Sequence, residues 1–230
     1  MDALADVRGT RLLDVGCHRA DMAVILAEEY DCEVVGVDLG AEDNWDEVQA
    51  NHPSITLLEA DISKPHPRLH ESSFDRIVSV SVWEHVHHPW SALKSCQRYL
   101  KPDGKKYLYS MLNRSAGASH LIHRIEDRWP HLIFSPDEIK AQLGVSRLGD
   151  SFWTNKVTYQ QYLFYFRELG FHITHESFNR DMWDAKTYEK YEQVLMLYPE
   201  WDLSTDFFRV VLEFDAEHPK ERIPDPVYRL

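Results

Sequence analysis

Short apolar runs and amphipathic stretches alternate along this chain. Near its start, Arg11-Leu12-Leu13-Asp14-Val15, Cys32-Glu33-Val34-Val35-Gly36-Val37-Asp38 and Ile55-Thr56-Leu57-Leu58-Glu59-Ala60-Asp61 read as strands, the first followed at once by glycine and a helix-opening turn. That helix runs to about Tyr30, with Ala23, Leu26, Ala27 and Tyr30 at i, i+3, i+4 and i+7, one stripe against a sheet. Residues 41–51 form a short acidic helix carrying Trp45 and Val48 and closed by Pro53. A fourth strand runs from Phe74 to about Val80. A helix then begins at Pro89-Trp90 with a stripe of Leu93, Cys96, Gln97 and Leu100, and Lys101-Pro102-Asp103-Gly104 reads as a turn before a fifth strand, Lys105 to Met111.

Residues 112–157 show little strand period and one helix start, Ser135-Pro136-Asp137-Glu138. The expectation is an inserted lid over the strand C-termini, after strand five. A helix from about Thr158 to Leu169 ends at Gly170, Phe171 to Phe178 is a sixth strand, roughly Ala185–Tyr198 is a helix, and Phe207 to Phe214 is a seventh strand. The tail from Pro219 to Leu230 is expected to be extended. The pattern predicts an α/β chain with a doubly wound sheet of seven strands.

In such sheets ligands sit outside the strand C-termini, and here that edge receives three carboxylates, Asp14, Asp38 and Asp61. A dinucleotide loop, G-x-G-x-x-G from Gly16, would need glycine at 18 and 21, where the chain has His18 and Asp21. Asp21 in the first helical turn and Asp14 before the glycine both repel phosphate. A ligand with a positive or neutral head suits the edge better, and S-adenosyl-L-methionine, with its sulfonium and ammonium groups, has that character.

Composition narrows the partners. The 230 residues are 43% hydrophobic and 27% charged, with a formal net charge of −13, which argues against a nucleic-acid backbone as substrate. No apolar stretch approaches the ~20 residues of a membrane span, and Met1-Asp2-Ala3 lacks a basic-then-apolar signal. Cys17, Cys32 and Cys96 have no metal-type spacing and read as reduced thiols. The expectation is a cytoplasmic protein acting on a small molecule, with no nucleic acid or membrane partner; an oligomer stays open.

Leu12-Leu13-Asp14-Val15-Gly16-Cys17, Val35-Gly36-Val37-Asp38, Ala60-Asp61-Ile62, Phe74-Asp75-Arg76-Ile77-Val78-Ser79, Glu84-His85-Val86 and Leu100-Lys101-Pro102-Asp103-Gly104 follow one another as in the class I S-adenosylmethionine-dependent methyltransferases, which the chain resembles from Leu12 to about Met111. The resemblance implies a Rossmann-like, mostly parallel sheet with the seventh strand antiparallel. It divides one domain into a cofactor-binding half (1–111), the lid (112–157) and a C-terminal part (158–230). The family loop reads D-x-G-x-G-x-G, and here its second and third glycines are His18 and Ala20. Members often carry N-terminal helices over the cofactor. Only about ten residues precede the first strand here, so the site is expected to be open or completed by a partner.

Asp38 is placed to accept both ribose hydroxyls, Asp61 to accept from the adenine amino group with Ile62 donating a backbone N–H, and Asp14 to orient the methionine ammonium. Gly16, Cys17, His18, Leu39 and Ser79 complete the expected cofactor-binding set, and His18 is expected to point away from the cofactor. His85 and, second, His123 are the candidate general bases, with His120 beside the latter. Some members bind a divalent ion through E-x-x-E-H; Ser81 takes the first position here, so no metal is assigned to Glu84, His85, His87 and His88. Trp83, Trp129, Phe134, Trp153 and Tyr159 line an aromatic substrate pocket or belong to the core. The activity expected is methyl transfer to oxygen, then nitrogen, of a small molecule. The rival is a fold with a degenerate loop serving as a non-methylating catalyst or binding subunit.

Overall fold

A computed structural model describes residues 7–149 and 152–214; the tail from Pro219 lies outside the described residues. Five strands are laid down in succession: β1 (Arg11–Val15), β2 (Glu33–Asp38), β3 (Ile55–Glu59), β4 (Phe74–Val80) and β5 (Leu100–Met111). Helices α1 (Asp21–Tyr30), α2 (Trp45–Asn51) and α3 (Pro89–Tyr99) lie between them, with a 3-10 turn at Trp83–His85. Then follow α4 (Pro130–Ile133), α5 (Pro136–Leu143), α6 (Tyr159–Glu168), β6 (Phe171–Asn179), α7 (Ala185–Lys190), α8 (Glu192–Leu195), α9 (Glu200–Ser204) and β7 (Phe207–Phe214). The seven strands form one sheet in the order β3-β2-β1-β4-β5-β7-β6. Strands β1 to β5 pair in parallel, and β7 runs antiparallel to both of its neighbours.

Alternation sorts the strand residues onto two faces. Leu13, Val15, Val35, Val37, Leu58 and Ile77 join α3 and α6 in the larger core. Leu12, Val34, Ile55, Leu57 and Val78 pack on the other face with Ala23 and Leu26 of α1 and Trp45 of α2. Both expected helix starts are capping boxes: Ser135 with Glu138 opens α5, and Thr158 with Gln161 opens α6.

Three expectations change. Lys101–Gly104 is a bulge inside β5, because register jumps from Phe74↔Leu100 to Arg76↔Lys105. Gly104 is needed there for closeness, since a Cβ would press on Leu100 and the Asp75 carbonyl. The expected helix over 185–198 is broken at Tyr191 into α7 and α8. Finally, the stretch 112–157 does not stand alone. Trp129 and Ala116 pack with Leu195 and Leu203, while Leu121, Ile125 and Ile139 gather a second small core. Both segments leave the sheet at the edge where β5 and β6 end and β7 begins, so the layer over that edge is built from two insertions.

Candidate active site

At the C-terminal edge of β1–β4 lies a cleft of about 390 Å³, within the range of small-molecule sites. It is lined from β3 by Ala60, Asp61, Ile62 and Ser63, from β2 by Val37, Asp38 and Leu39, from β1 by Val15, Gly16 and His18, and from beyond β4 by Val80 to Val82 and His85 to His88. The order of the strands makes it a trough with carboxylates at one end and imidazoles at the other.

The loop after β1 preserves the backbone of a glycine loop without its second and third glycines. Gly16, His18 and Ala20 have φ of 81°, 43° and 66°, all left-handed. At Gly16 glycine is obligatory for a second reason, because a Cβ would overlap the Val82 side chain. Neighbours hold the two strained residues. Asp38 Oδ2 accepts from His18 N–H (2.8 Å), the Trp45 indole donates to the His18 carbonyl (2.7 Å), and Asn44 Nδ2 donates to the Arg19 carbonyl (2.9 Å). The His18 imidazole is 71% exposed and lies 3.3 Å from Glu42 Oε1. It turns to solvent, although the residue borders the cleft. Trp45 and Asn44 were not legible as site residues, since nothing in their spacing ties them to a loop about 25 residues earlier.

The three acids differ. Asp38 faces the cleft and also accepts the Leu39 N–H on Oδ1 (2.7 Å). Asp61, two residues past β3, accepts from Ser63 N–H and Oγ and pairs with Lys64 at 2.9 Å, which holds its carboxyl below the ordinary range. It borders the cleft, but its oxygens already close a turn. Asp14 does not line the cleft at all. It is one residue short of the strand end, so alternation turns it to the α1 face opposite Gly36 and Val78. There it is 4% exposed, its Oδ2 meets no donor, and burial aided by the Asp38 charge raises its pKa from 3.8 to about 7.

Two other expected contacts are structural. Ser79 is buried and donates to the Val15 carbonyl, tying β4 to β1. Cys17 is buried where a Cβ on Gly36 would strike it, and burial raises its thiol pKa. Ile62 and Leu39 do border the cleft, Leu39 largely exposed.

At the other end, His85 Nδ1–H donates to the Trp153 carbonyl at 2.8 Å, which leaves the lone pair of the neutral ring on Nε2. That Nε2 lies 3.1 Å from His120 Nε2. Burial, with His85 nearby, lowers the His120 pKa. His123 is exposed and outside the cleft. Leu121 and Ile125 turn inward on the same helical turn, which carries His123 to the opposite side. The inserted stretch therefore contributes His120 where sequence reasoning favoured His123. Beneath, buried Glu84 accepts from Ser110 Oγ on Oε2, while its Oε1 has no partner. Asn155 donates to the carbonyls of Trp83 and Val86 and its N–H to that of Glu84, pinning the loop to the returning end of the insertion. These five aromatics do not line one pocket: Trp83, Trp129 and Tyr159 are core, Phe134 packs around Ile139, and Trp153 stacks on His87 at the rim.

An acid closing β2 beside a left-handed loop, on a sheet of this order with an antiparallel seventh strand, resembles the fold of the class I S-adenosylmethionine-dependent methyltransferases. Residues 13–108 match the family described as a methyltransferase domain. The chain is 31% identical over 125 residues to the ubiquinone biosynthesis O-methyltransferase of Paracidovorax citrulli (strain AAC00-1), covering 51% of this chain and 50% of that protein. It spans about half the length of that and similar curated relatives. The [4+2]-cyclase SpnF superposes with a TM-score of 0.60 at 16% identity, over 93% of this chain and 79% of that one. The Burkholderia thailandensis 1,6-didemethyltoxoflavin-N1-methyltransferase, solved with its namesake ligand and S-adenosylhomocysteine, gives 0.57 at 15%, over 93% and 77%. At such identities the structural likeness speaks to the fold alone. Residues 13–108 are thus similar to the methyltransferase domain family, and solved neighbours of this fold hold S-adenosylmethionine or S-adenosylhomocysteine. The site suits that group: a mostly apolar trough, an accessible acid at one end, and an unpartnered buried carboxyl oxygen behind the loop. Among the described residues no helix is long and apolar enough to cross a membrane.

Proposed function

We propose that this chain transfers the methyl group of S-adenosylmethionine to an oxygen of a small molecule. Asp38 receives the ribose hydroxyls; Leu39, Asp61 and Ile62 enclose the adenine; Gly16 and the His18 backbone lie along the methionine moiety, with Asp14 behind them as counter-charge to its ammonium. The acceptor lies at the His85–His120 end. The reaction is an in-line displacement at an already activated carbon, so alignment and removal of the acceptor's proton are what the protein supplies.

The observation that carries this reading is one trough with the Asp38 carboxylate, held by two backbone N–H groups, at one end and an oriented imidazole at the other. The relatives named O-methyltransferases favour oxygen over nitrogen. The test is calorimetry with S-adenosylhomocysteine on the parent, Asp38→Ala and His85→Ala, together with release of that product over a panel of small hydroxylated acceptors. Asp38→Ala should weaken binding by about 1–3 kcal/mol. His85→Ala should lower turnover by about two to four decades with binding nearly intact. A parent protein that does not bind at millimolar ligand overturns the reading.

A further inference from the structure

We propose that Glu84, His85 and His120 form a binding site for a divalent transition-metal ion at the acceptor end of the trough. They are the one cluster of three His, Cys, Asp or Glu residues among the described residues whose ligand atoms all lie within 4.8 Å of one another. The inserted stretch supplies His120, 35 residues beyond His85, so the set is invisible to spacing along the chain.

Three features favour an ion over a histidine–histidine hydrogen bond alone. The Nε2–Nε2 separation is 3.1 Å. Two nitrogens each ~2.0–2.1 Å from one ion stand that far apart at a ligand angle of about 100°, between octahedral and tetrahedral values. His85 Nδ1–H is committed to the Trp153 carbonyl at 2.8 Å, the outer-shell bond that fixes a metal-binding tautomer and points the other nitrogen at the ion. Glu84 is 2% exposed, one of its oxygens is taken by Ser110, and Oε1 is buried without a donor. A buried carboxylate with one oxygen unpartnered, within 4.8 Å of two imidazole nitrogens, offers three ligands to one ion.

Two nitrogens and one oxygen are a borderline donor set, suited to zinc, manganese, iron or cobalt, not to the all-oxygen shells of calcium and magnesium. Three protein ligands leave positions open, and His85 borders the trough, so those positions face the acceptor. This deepens the functional reading and rests on it: the acceptor is a hydroxyl with a second oxygen close enough to share the ion. With His85 Nε2 on the ion, its part in deprotonation would be made through the ion, and an acceptor O–H held there would give its proton to water. The oxygen then attacks the methyl carbon, the carbon–sulfur bond breaks, and its electron pair returns to sulfur to leave the neutral thioether.

The experiment uses the untagged full chain stripped with chelator, titrated with cobalt(II) by visible absorption and with zinc by calorimetry, and S-adenosylhomocysteine affinity measured on the same samples. One equivalent should bind, with d–d bands of a nitrogen-and-oxygen site. His120→Ala, at an exposed position, and Glu84→Gln should each weaken zinc at least ~10-fold, while His123→Ala three residues away leaves it unchanged. Absence of binding at about 1 mM, or binding indifferent to His120→Ala, overturns the proposal. If either occurs while S-adenosylhomocysteine still binds, only the metal site falls. If metal binds as expected and S-adenosylhomocysteine does not, the methyl-transfer reading falls instead.

Discussion

Replacing Asp14 by asparagine separates the cost of a buried charge from every other contribution to stability. In the unfolded chain this carboxyl ionises near 3.8; in the folded protein, where burial and the Asp38 charge oppose ionisation, it does so near 7. Below pH 3.8 both states are neutral and folding meets no penalty. Between 3.8 and 7 the folded state keeps a proton that the unfolded state has released, so stability falls as pH rises, by about 1.4 kcal/mol per unit. Above 7 both states are charged and the loss is complete, at a ceiling of about 4 kcal/mol for a shift of some three units. An asparagine side chain cannot ionise. Its burial cost does not depend on pH, so the diagnostic quantity is how the difference between the two proteins changes. Urea unfolding of parent and Asp14→Asn at pH 5, 6, 7 and 8 should show the variant gaining about 2–3 kcal/mol on the parent across that range, then levelling. All other carboxylates are shared and cancel. A difference that stays flat from pH 5 to 8 would mean that Asp14 is ionised throughout, and the argument from burial would be wrong. Saturating S-adenosylhomocysteine supplies an ammonium, and on the functional reading it should flatten the parent's pH dependence toward that of the variant.

The loop and the core give two further tests. His18→Gly and Ala20→Gly each remove a left-handed non-glycine residue and should stabilise the protein by about 1 kcal/mol, read by thermal unfolding, with S-adenosylhomocysteine affinity changing by no more than about 1 kcal/mol. An affinity that rises by two decades in His18→Gly would instead show that the imidazole obstructs the cleft. Lys106 is fully buried with its ammonium 3.7 Å from the centre of the Trp83 ring, and burial lowers its pKa from 10.5 to about 8. Lys106→Met should therefore stabilise the fold by about 1–3 kcal/mol at pH 7, and the gain should shrink as pH rises from 8 to 10.5, where the folded state's lysine is neutral. Destabilisation at pH 7 would show that the cation–π contact outweighs the desolvation.

The succession of strands and helices, and where α5 and α6 begin, were legible because each is written in a local signal. Runs such as Val34-Val35 and Leu57-Leu58 show their period within a few residues, and Ser135 or Thr158 sits at a fixed offset from Glu138 or Gln161. What was not legible depends on partners far away in sequence. The 185–198 segment has helical period, but Tyr191 breaks it where Asp127, from the first insertion, accepts from its hydroxyl and pairs with Lys190. A Lys-Pro-Asp-Gly turn signal lost to a bulge because the strand resumes on both sides of it.

The site divides along the same line, and the division explains why its residues were sorted unevenly. Asp38 was legible as a candidate because it closes a strand at the sheet edge where ligands sit. Asp14 lies one residue of parity from the trough: Val15 borders it, whereas position 14 faces Gly36 and is buried, which strand period alone did not separate. His85 was readable because it follows the fourth strand by a short turn, and a short turn cannot carry it far. Which histidine of the insertion meets it could not be read, because that depends on a left-handed residue at His120 (φ 55°) and a turn closed by His120 N–H on the Gly117 carbonyl (2.9 Å). A β-branched residue at 120 would resist that conformation. His120→Val should therefore loosen the turn as well as remove the imidazole, whereas His120→Asn, which tolerates left-handed φ, should remove the imidazole alone. Comparing amide exchange around residues 117–121 in the two variants separates them: faster exchange in His120→Val only is the expected outcome, and equal exchange in both would show that the turn does not depend on the residue it presents.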